Sequence, residues 1–156
     1  MYSTYRRASK FGRIIEFKYS NDDSTLVDSY SWSIDGRGYA IATIEGKIKK
    51  LHRMIMGEPE GMEVDHINGN KLDNRRENLR AVTKNQNQWN RATNVNSTSG
   101  FRGIGWVKSA SKWRVRIQVD GNQISLGRYF DLADAIDVRI KAEIKYFGEY
   151  RRKDVQ

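Results

Sequence analysis

The first third of the chain alternates hydrophobic and polar residues over short stretches. Successive side chains of a strand point to opposite faces, so the alternation predicts strands, and the glycine-containing turns at 35–38 and 45–46 predict hairpins. The predicted strands are residues 13–17, 30–34 and 39–44. A short helix is expected at residues 51–56, where Gly57 ends it.

The middle of the chain has two strand-like stretches with a long polar segment between them. In chain order these are residues 62–66, 68–78 and 79–82. The polar segment is so rich in Asn, Asp and Gly that it is predicted to be a loop. Thr83 and Gln86 have the spacing of a helix N-cap and its reciprocal partner, which predicts a helix up to about Arg91.

In the last third of the chain, hydrophobic and polar residues alternate over longer stretches, and hydrophobic residues then recur at the spacing of a helix. Strands are predicted at residues 101–107, 113–119 and 123–129. Asp131 caps and Gly148 ends a predicted helix. Its packed side is expected to carry Leu132, Ile136, Ile140, Ile144 and Phe147. The small polar residues at 92–99 predict a linker before this part.

The charge of the chain indicates a polyanionic partner. Its 156 residues include 28 Lys and Arg against 19 Asp and Glu, a net charge of +9. Nucleic acid is the first interpretation, and a membrane surface is the alternative. No apolar stretch is long enough to span a bilayer and no basic helix has a strongly apolar opposite face, so membrane binding is not expected.

The cysteine and histidine content limits the possible metal sites, and the first residues indicate the compartment. The chain has no cysteine, which excludes disulfides and thiolate zinc sites. With only two histidines, any metal must be held mostly by oxygen. The first residues lead into no apolar signal core, so an intracellular location is expected, the bacterial host cytoplasm if the chain is phage-encoded.

The polar loop and its flanks hold the groups that phosphodiester hydrolysis requires. The reaction needs a base that activates water and a cation that stabilises charge on the phosphate oxygens. His66 is the candidate base, because the ordinary pKa of imidazole lies close to neutral pH. Asp65 and Asn87 offer hard oxygen ligands for a divalent cation, Mg²⁺ first and Mn²⁺ as the alternative.

The order and spacing of the polar motifs resemble a nuclease family. The motifs are His52-Arg53, Met56-Gly57, Asp65-His66-Ile67-Asn68-Gly69-Asn70, Asp73-Asn74-Arg75-Arg76, Asn78-Leu79-Arg80 and Asn87. Over residues 30–91 this pattern resembles the HNH nucleases of phages and mobile introns. The resemblance implies a ββα-metal fold in which His66 takes a proton from water while Asp65 and Asn87 hold one divalent cation. It also implies that Asn78 fixes the loop that orients the imidazole.

The C-terminal third resembles a DNA-binding domain. The matching blocks are Ser99-Gly100-Phe101-Arg102-Gly103-Ile104, Lys112-Trp113-Arg114-Val115-Arg116-Ile117, Leu126-Gly127-Arg128-Tyr129-Phe130 and Tyr146-Phe147-Gly148. Over residues 99–149 they resemble the AP2 domain, which implies a three-stranded sheet in the DNA major groove with one helix packed behind it. Strand alternation independently predicts that Trp113, Val115 and Ile117 face the helix. The opposite, cationic face would then carry Arg114, Arg116 and Gln118.

Several further residues are candidates for DNA contact. Arg102, Trp106 and Lys108 are expected to extend the cationic face from the neighbouring strand. Including these, the predicted contacts are Arg75, Arg76, Arg80, Arg102, Trp106, Lys108, Trp113, Arg114, Arg116 and Arg128. Arg75, Arg76 and Arg80 are interpreted either as phosphate clamps or as a solvated face. His52 is expected to have a structural role or to contact DNA.

The predicted fold class is α+β. Residues 1–91 form the nuclease domain, with β-hairpins at 1–50 and the ββα-metal core at 51–91; a linker at 92–99 leads to the AP2-like domain at 100–150. The predicted function is a homing-type, site-specific endonuclease that acts on double-stranded DNA, and a single centre in a monomer is expected to nick one strand.

The composition and motifs are also compatible with two other functions. The alternative is a DNA-binding regulator that does not cleave, for which damage to the catalytic set would be expected. An RNA-directed enzyme is a third interpretation. It is disfavoured because side chains of a sheet cannot reach the base edges in the deep, narrow groove of A-form RNA.

Overall fold

The structure, a computed structural model, describes residues 1–9, 12–90 and 97–152. The chain divides into two units, Met1–Asn87 and Gln88–Gln156. Within the described ranges the fold is mixed α and β, with small sheets and few helices, as the α+β prediction requires. None of the helices there has the length and apolar character needed to cross a bilayer.

The first sheet of the first unit joins distant parts of the chain. Strand β1 (Tyr2–Ala8) pairs antiparallel with β2 (Ile14–Ser20), and β7 (Asp73–Asn74) pairs parallel with β2. The inward side chains of β2 are buried in alternation, and Phe17 at its centre is 1% exposed. Strand β1 and the parallel pairing of β7 were not predicted.

The second sheet follows the predicted hairpin pattern. It is antiparallel and consists of β3 (Ser33–Ile34), β4 (Ala40–Ile44) and β5 (Lys47–Lys50). The helices beside it are α1 (Ser24–Asp28) and α2 (Leu51–Ile55). The core between them contains Val27, Trp32 and Leu51, and the Trp32 indole N–H donates to the Val27 carbonyl over 2.8 Å.

The middle of the chain confirms the order of strand, loop, strand and helix. Strands β6 (Glu63–His66) and β8 (Leu79–Val82) form an antiparallel pair, and α3 (Lys84–Trp89) follows. The predicted N-cap is also confirmed. The Thr83 hydroxyl accepts the Gln86 N–H, and the Gln86 side chain accepts the Thr83 N–H in return.

The second unit has the three predicted strands and the predicted helix. Strands β9 (Ile104–Val107), β10 (Lys112–Val119) and β11 (Asn122–Tyr129) form an antiparallel sheet with β10 in the middle. Helix α4 (Leu132–Phe147) packs on one face. That face buries Val115, Ile117, Ala135, Ala142 and Phe147, so the predicted inward phase of β10 is confirmed.

The packed side of α4 differs from the prediction at one position. Ile144 is 55% exposed, whereas Ala135 and Ala142 are buried. Repeated steps of four residues advance about 40° each around a helix, so a series beginning at Leu132 has left the packed side by Ile144. Arg139 lies on the packed side instead; it is 4% exposed and donates to the Arg116 carbonyl and to Glu143.

The predicted linker lies only partly within the described residues. Residues 92–96 lie outside them. Ser99 is described and is 8% exposed, and its hydroxyl donates to the Ile104 carbonyl over 2.8 Å. The last residues of the predicted linker therefore pack as part of the second unit.

Candidate active site

Strand β6 carries the two central candidates on opposite faces of its hairpin. Asp65 lies opposite Arg80 in the β8 register, and His66 lies opposite Leu79. Adjacent strand residues point to opposite sides, so the carboxylate and the imidazole face different surroundings. Both are buried, Asp65 at 8% and His66 at 4% exposure. The two faces therefore define two halves of the site.

The imidazole half of the site is a buried cluster of rings and one amide. The His66 ring lies 4.9 Å from the His52 ring and 6.1 Å from the Tyr39 ring, centroid to centroid. Its Nε2 lies 3.2 Å from the Asn74 amide oxygen. In this orientation of the Asn74 amide, Nε2 is the donor to its oxygen, which leaves Nδ1 as the basic nitrogen.

Both imidazoles are held in their neutral form. Burial lowers the pKa of His66, and this outweighs the opposing effects of the Asn74 hydrogen bond and the Asp65 charge. Burial, followed by the proximity of His66, lowers the pKa of His52 to about 3. A neutral imidazole accepts a proton. His52 itself is 4% exposed and packs in the cluster, which favours the structural role over contact with DNA; its role stays a prediction.

Asn78 ties the two ends of the polar loop together. Its side-chain amide donates to the Asp73 carbonyl over 2.7 Å and to the Asn68 side chain over 3.0 Å. Its amide oxygen accepts the Asn68 backbone N–H over 3.0 Å, and its backbone carbonyl accepts the Ile67 N–H. The loop thus closes directly behind His66.

The carboxylate half of the site contains a residue that sequence reasoning missed. Glu63 is two residues before Asp65 on β6, on the same face, and its carboxylate accepts a hydrogen bond from the Asn87 side-chain amide of α3. Asp65 forms an ion pair with Arg80 at 2.9 Å. Strand alternation was the signal that could have identified Glu63, because residues i and i+2 share a face.

These groups fit a hard divalent cation in their donor chemistry. The Asn87 nitrogen is directed to Glu63, so the amide oxygen is the atom left to bind a cation, alongside the Asp65 carboxylate. Within the described ranges, no three His, Asp or Glu side chains are clustered for metal binding. A cation with few protein ligands and several water or phosphate oxygens matches the behaviour of Mg²⁺.

The three arginines of the central motifs each have an acidic partner. Arg75 contacts Asp73 at 2.7 Å and also Glu77, and Arg76 contacts Asp23 at 2.6 Å. Arg80 contacts Asp65, as described above. The sequence allows the three arginines to be interpreted either as a solvated face or as phosphate clamps, and their ion pairs with acidic side chains fit neither interpretation in its simple form. Their predicted contact with DNA stays a prediction.

The outer face of the second unit carries the predicted cationic residues of β10 and β11. Arg114 lies opposite Arg128 on β11 and Gly105 on β9, and Arg116 lies opposite Ser125. Arg116 donates to the Gln123 side chain over 3.0 Å. Arginines from two strands therefore occupy one surface, on the side opposite α4.

The candidates from the neighbouring strand are distributed differently from the prediction. Trp106 lies opposite Trp113 in the β9–β10 register, 5.0 Å between ring centroids, so it shares the face that α4 covers. Trp106 therefore lies on the face opposite Arg114 and Arg116 and does not extend the cationic face, although it is 43% exposed; its predicted contact with DNA stays a prediction. Arg102 precedes β9 and donates to the Gln88 carbonyl, and Lys108 is exposed in a turn after β9.

Comparison with known proteins identifies the family. The family described as HNH endonuclease matches residues 49–89, the segment from β5 to α3. Protein 3.8 of Escherichia phage T7 is 32% identical over 94 residues, which cover 60% of this chain and 77% of that protein. The chain belongs to the HNH endonuclease family.

This HNH endonuclease has a second viral relative. An uncharacterised HNH endonuclease of Acanthamoeba polyphaga mimivirus is 39% identical over 91 residues, which cover 54% of this chain and 48% of that protein. No solved structure matches the chain significantly. As an HNH endonuclease the protein is a nuclease with DNA as its substrate, and enzymes of this family typically use a divalent metal ion.

Proposed function

We propose that this HNH endonuclease is a site-specific, homing-type enzyme that cleaves double-stranded DNA with one divalent cation, and that its second unit directs it to its target. The observation that carries the proposal is the arrangement around β6. A buried neutral imidazole and a buried carboxylate occupy its two faces, and Asn87 of α3 meets the carboxylate face through Glu63.

Each residue of the site has a role in the proposal. His66 accepts the proton of the attacking water, because burial keeps its imidazole neutral. Asn74 contacts the Nε2 edge of that ring, and Asn78 holds the loop behind it. Asp65 and Asn87 would hold the cation. When bound, a divalent cation supplies positive charge to the oxygens of the phosphate under attack.

Cleavage of supercoiled plasmid tests the enzymatic part of the proposal. Plasmid carrying candidate target DNA is incubated with the protein in Mg²⁺ or in EDTA, and nicked and linear products are scored. We expect nicked product in Mg²⁺ and none in EDTA. His66→Ala should lose cleavage but retain binding in a gel-shift assay, because it removes the base without removing a phosphate contact.

Asn70→Ala is the matched control for this experiment. Asn70 is an exposed residue of the same loop, so its loss should leave cleavage unchanged. Full nicking by the His66→Ala variant would contradict the role of His66. Sequence-selective binding with no cleavage by the wild-type protein would instead favour the non-cleaving regulator.

The targeting part rests on the cationic face of the second sheet, which we propose to be AP2-like. Arg114 and Arg116 project from β10 on the side opposite α4. Arg114→Ala/Arg116→Ala should weaken binding to the target and reduce its salt dependence, because fewer counterions are released. The matched control is Lys141→Gln/Lys145→Gln, which removes two positive charges from exposed positions of α4. Equal salt slopes for wild type and the arginine variant would contradict the assignment.

A further inference from the structure

Two lysine side chains converge on one tyrosine ring beside the catalytic imidazole. The ammonium nitrogen of Lys50 lies 4.6 Å from the centroid of the Tyr39 ring, and that of Lys71 lies 4.7 Å from it. The same ring lies 5.0 Å from His52 and 6.1 Å from His66. Three separate segments of the chain thus meet next to His66. We refer to Tyr39, Lys50 and Lys71 as the Tyr39 cluster.

The turn before β4 holds the cluster in place. The Asp35 carboxylate accepts the backbone N–H groups of Arg37 and Tyr39 over 2.9 and 2.8 Å. Lys71 donates to the Arg37 carbonyl over 2.7 Å, which ties the polar loop to this turn. The positions of both lysines follow from hydrogen bonds and ring contacts, and their ammonium groups are held next to a half-buried ring.

The charge around the cluster is unbalanced. Lys50 and Lys71 contact the ring, and the Arg37 charge also acts on it. The negative charges that act on Tyr39 are each engaged elsewhere: Asp35 with backbone N–H groups, Asp65 with Arg80 and Glu63 with Asn87. Cation–π contact with a single ring does not neutralise two ammonium ions. An anion between them would relieve their repulsion. A DNA backbone phosphate is the anion that the substrate of this enzyme supplies.

We infer that the Tyr39 cluster is a binding subsite for a DNA backbone phosphate adjacent to the phosphate that is cleaved. The inference rests on the proposed function, in which His66 acts on the scissile phosphate. Lysine ammonium groups bind phosphate as compact charges with three donors each. The subsite holds the strand so that the scissile phosphate lies against His66, which makes Lys50 and Lys71 binding residues outside the polar motifs that suggested the family.

The salt dependence of DNA binding tests the subsite without cleavage. Affinity of the full-length protein for a duplex is measured in EDTA over a series of salt concentrations. Lys50→Gln/Lys71→Gln should reduce the magnitude of the slope of log K against log[salt] by about 1, the value for one phosphate contact. Lys141→Gln/Lys145→Gln removes the same charge from α4 and should keep the wild-type slope, as should Lys50→Arg/Lys71→Arg, which retains both charges.

An uncharged phosphate analogue in the DNA shows which phosphate the Tyr39 cluster contacts. A methylphosphonate is placed at each position next to the mapped nick in turn. At one position it should weaken wild-type binding by the same factor as the double Gln substitution, and the two changes together should cause no further loss. If, at every position, the loss of affinity from the methylphosphonate multiplies with the loss from the double Gln substitution, the subsite is overturned.

The outcomes separate the subsite from the proposed function. Wild-type protein that nicks DNA, together with a folded Gln variant whose salt slope is unchanged, overturns only the subsite. If the Gln variant fails to fold, the Lys50→Arg/Lys71→Arg variant is used instead. A salt slope that is smaller than that of the wild type in this folded, fully charged variant overturns the subsite. Wild-type protein that neither binds nor nicks DNA overturns the proposed function and the subsite with it.

Discussion

Replacement of Asn78 by alanine should destabilise the catalytic loop by about 3 kcal/mol. The Asn78 side chain is buried and makes three hydrogen bonds, to the Asp73 carbonyl and to the backbone and side chain of Asn68. Each contributes roughly 1 kcal/mol net, and the Asp73 carbonyl would be left without this donor. For a unit of this size, each kcal/mol corresponds to about 4–8 °C in Tm.

Urea unfolding and amide hydrogen exchange together measure this effect. Unfolding gives the change in free energy, and exchange of the Asn68 N–H, which Asn78 accepts, reports whether the loop opens locally. Asn78→Asp should be at least as damaging as Asn78→Ala, because a carboxylate cannot donate to the Asp73 carbonyl.

The matched control for this prediction is Asn70→Ala, in which an exposed residue of the same loop loses a single bond from Leu72. Its effect should stay within about 0.5 kcal/mol, as for most surface substitutions. If Asn78→Ala retained wild-type stability, Asn68 protection and nicking rate, the reasoning that the loop depends on this side chain would be refuted.

Three further predictions follow from buried or constrained groups. Burial lowers the pKa of His52 from 6.5 to about 3, so its neutral state stabilises the fold fully above pH 6.5 and this contribution is lost as the pH falls towards 3. Urea unfolding should therefore show a smaller loss of stability on acidification for His52→Phe than for wild type; equal losses would contradict this. Glu63→Ala should weaken Mn²⁺ binding to the DNA-free protein, measured by electron paramagnetic resonance, because the Asn87 amide loses its partner, whereas Glu63→Gln retains an acceptor. Gly103→Ala should destabilise the second unit by about 2 kcal/mol or more, because φ is +77° and a Cβ would lie 2.3 Å from the backbone of β10; Gly105→Ala, with no atom within 4 Å, should be tolerated in the same urea assay.

The elements that depend on local pattern could be predicted from the sequence. Thr83 and Gln86 form their reciprocal cap because both groups lie within one turn of the same helix. Val115 and Ile117 face the helix because alternation along a strand fixes their side once one of them is buried. The polar loop was recognisable because Asn, Asp and Gly favour turns over regular structure.

Features that depend on distant pairing could not be predicted. Strand β1 has little hydrophobic signal, and it is a strand because its backbone pairs with β2 along its whole length. The acidic partner of Arg76 is Asp23, 53 residues away, so its ion pair is a property of the fold. Trp106 faces Trp113 because of the strand register, which no local pattern specifies.

The short strand β7 has a consequence for the order of the catalytic loop. Asp73 and Asn74 pair with Lys18 and Tyr19 of β2, and the nearby Arg76 N–H donates to a Ser20 hydroxyl 56 residues away. Contacts across such a separation form only after the entropy of closing the intervening chain has been overcome. The order of the loop that orients His66 and the order of the N-terminal sheet are therefore coupled, because each segment supplies one side of this pairing. The position of the His66 imidazole thus depends on residues that lie about 50 positions earlier in the chain.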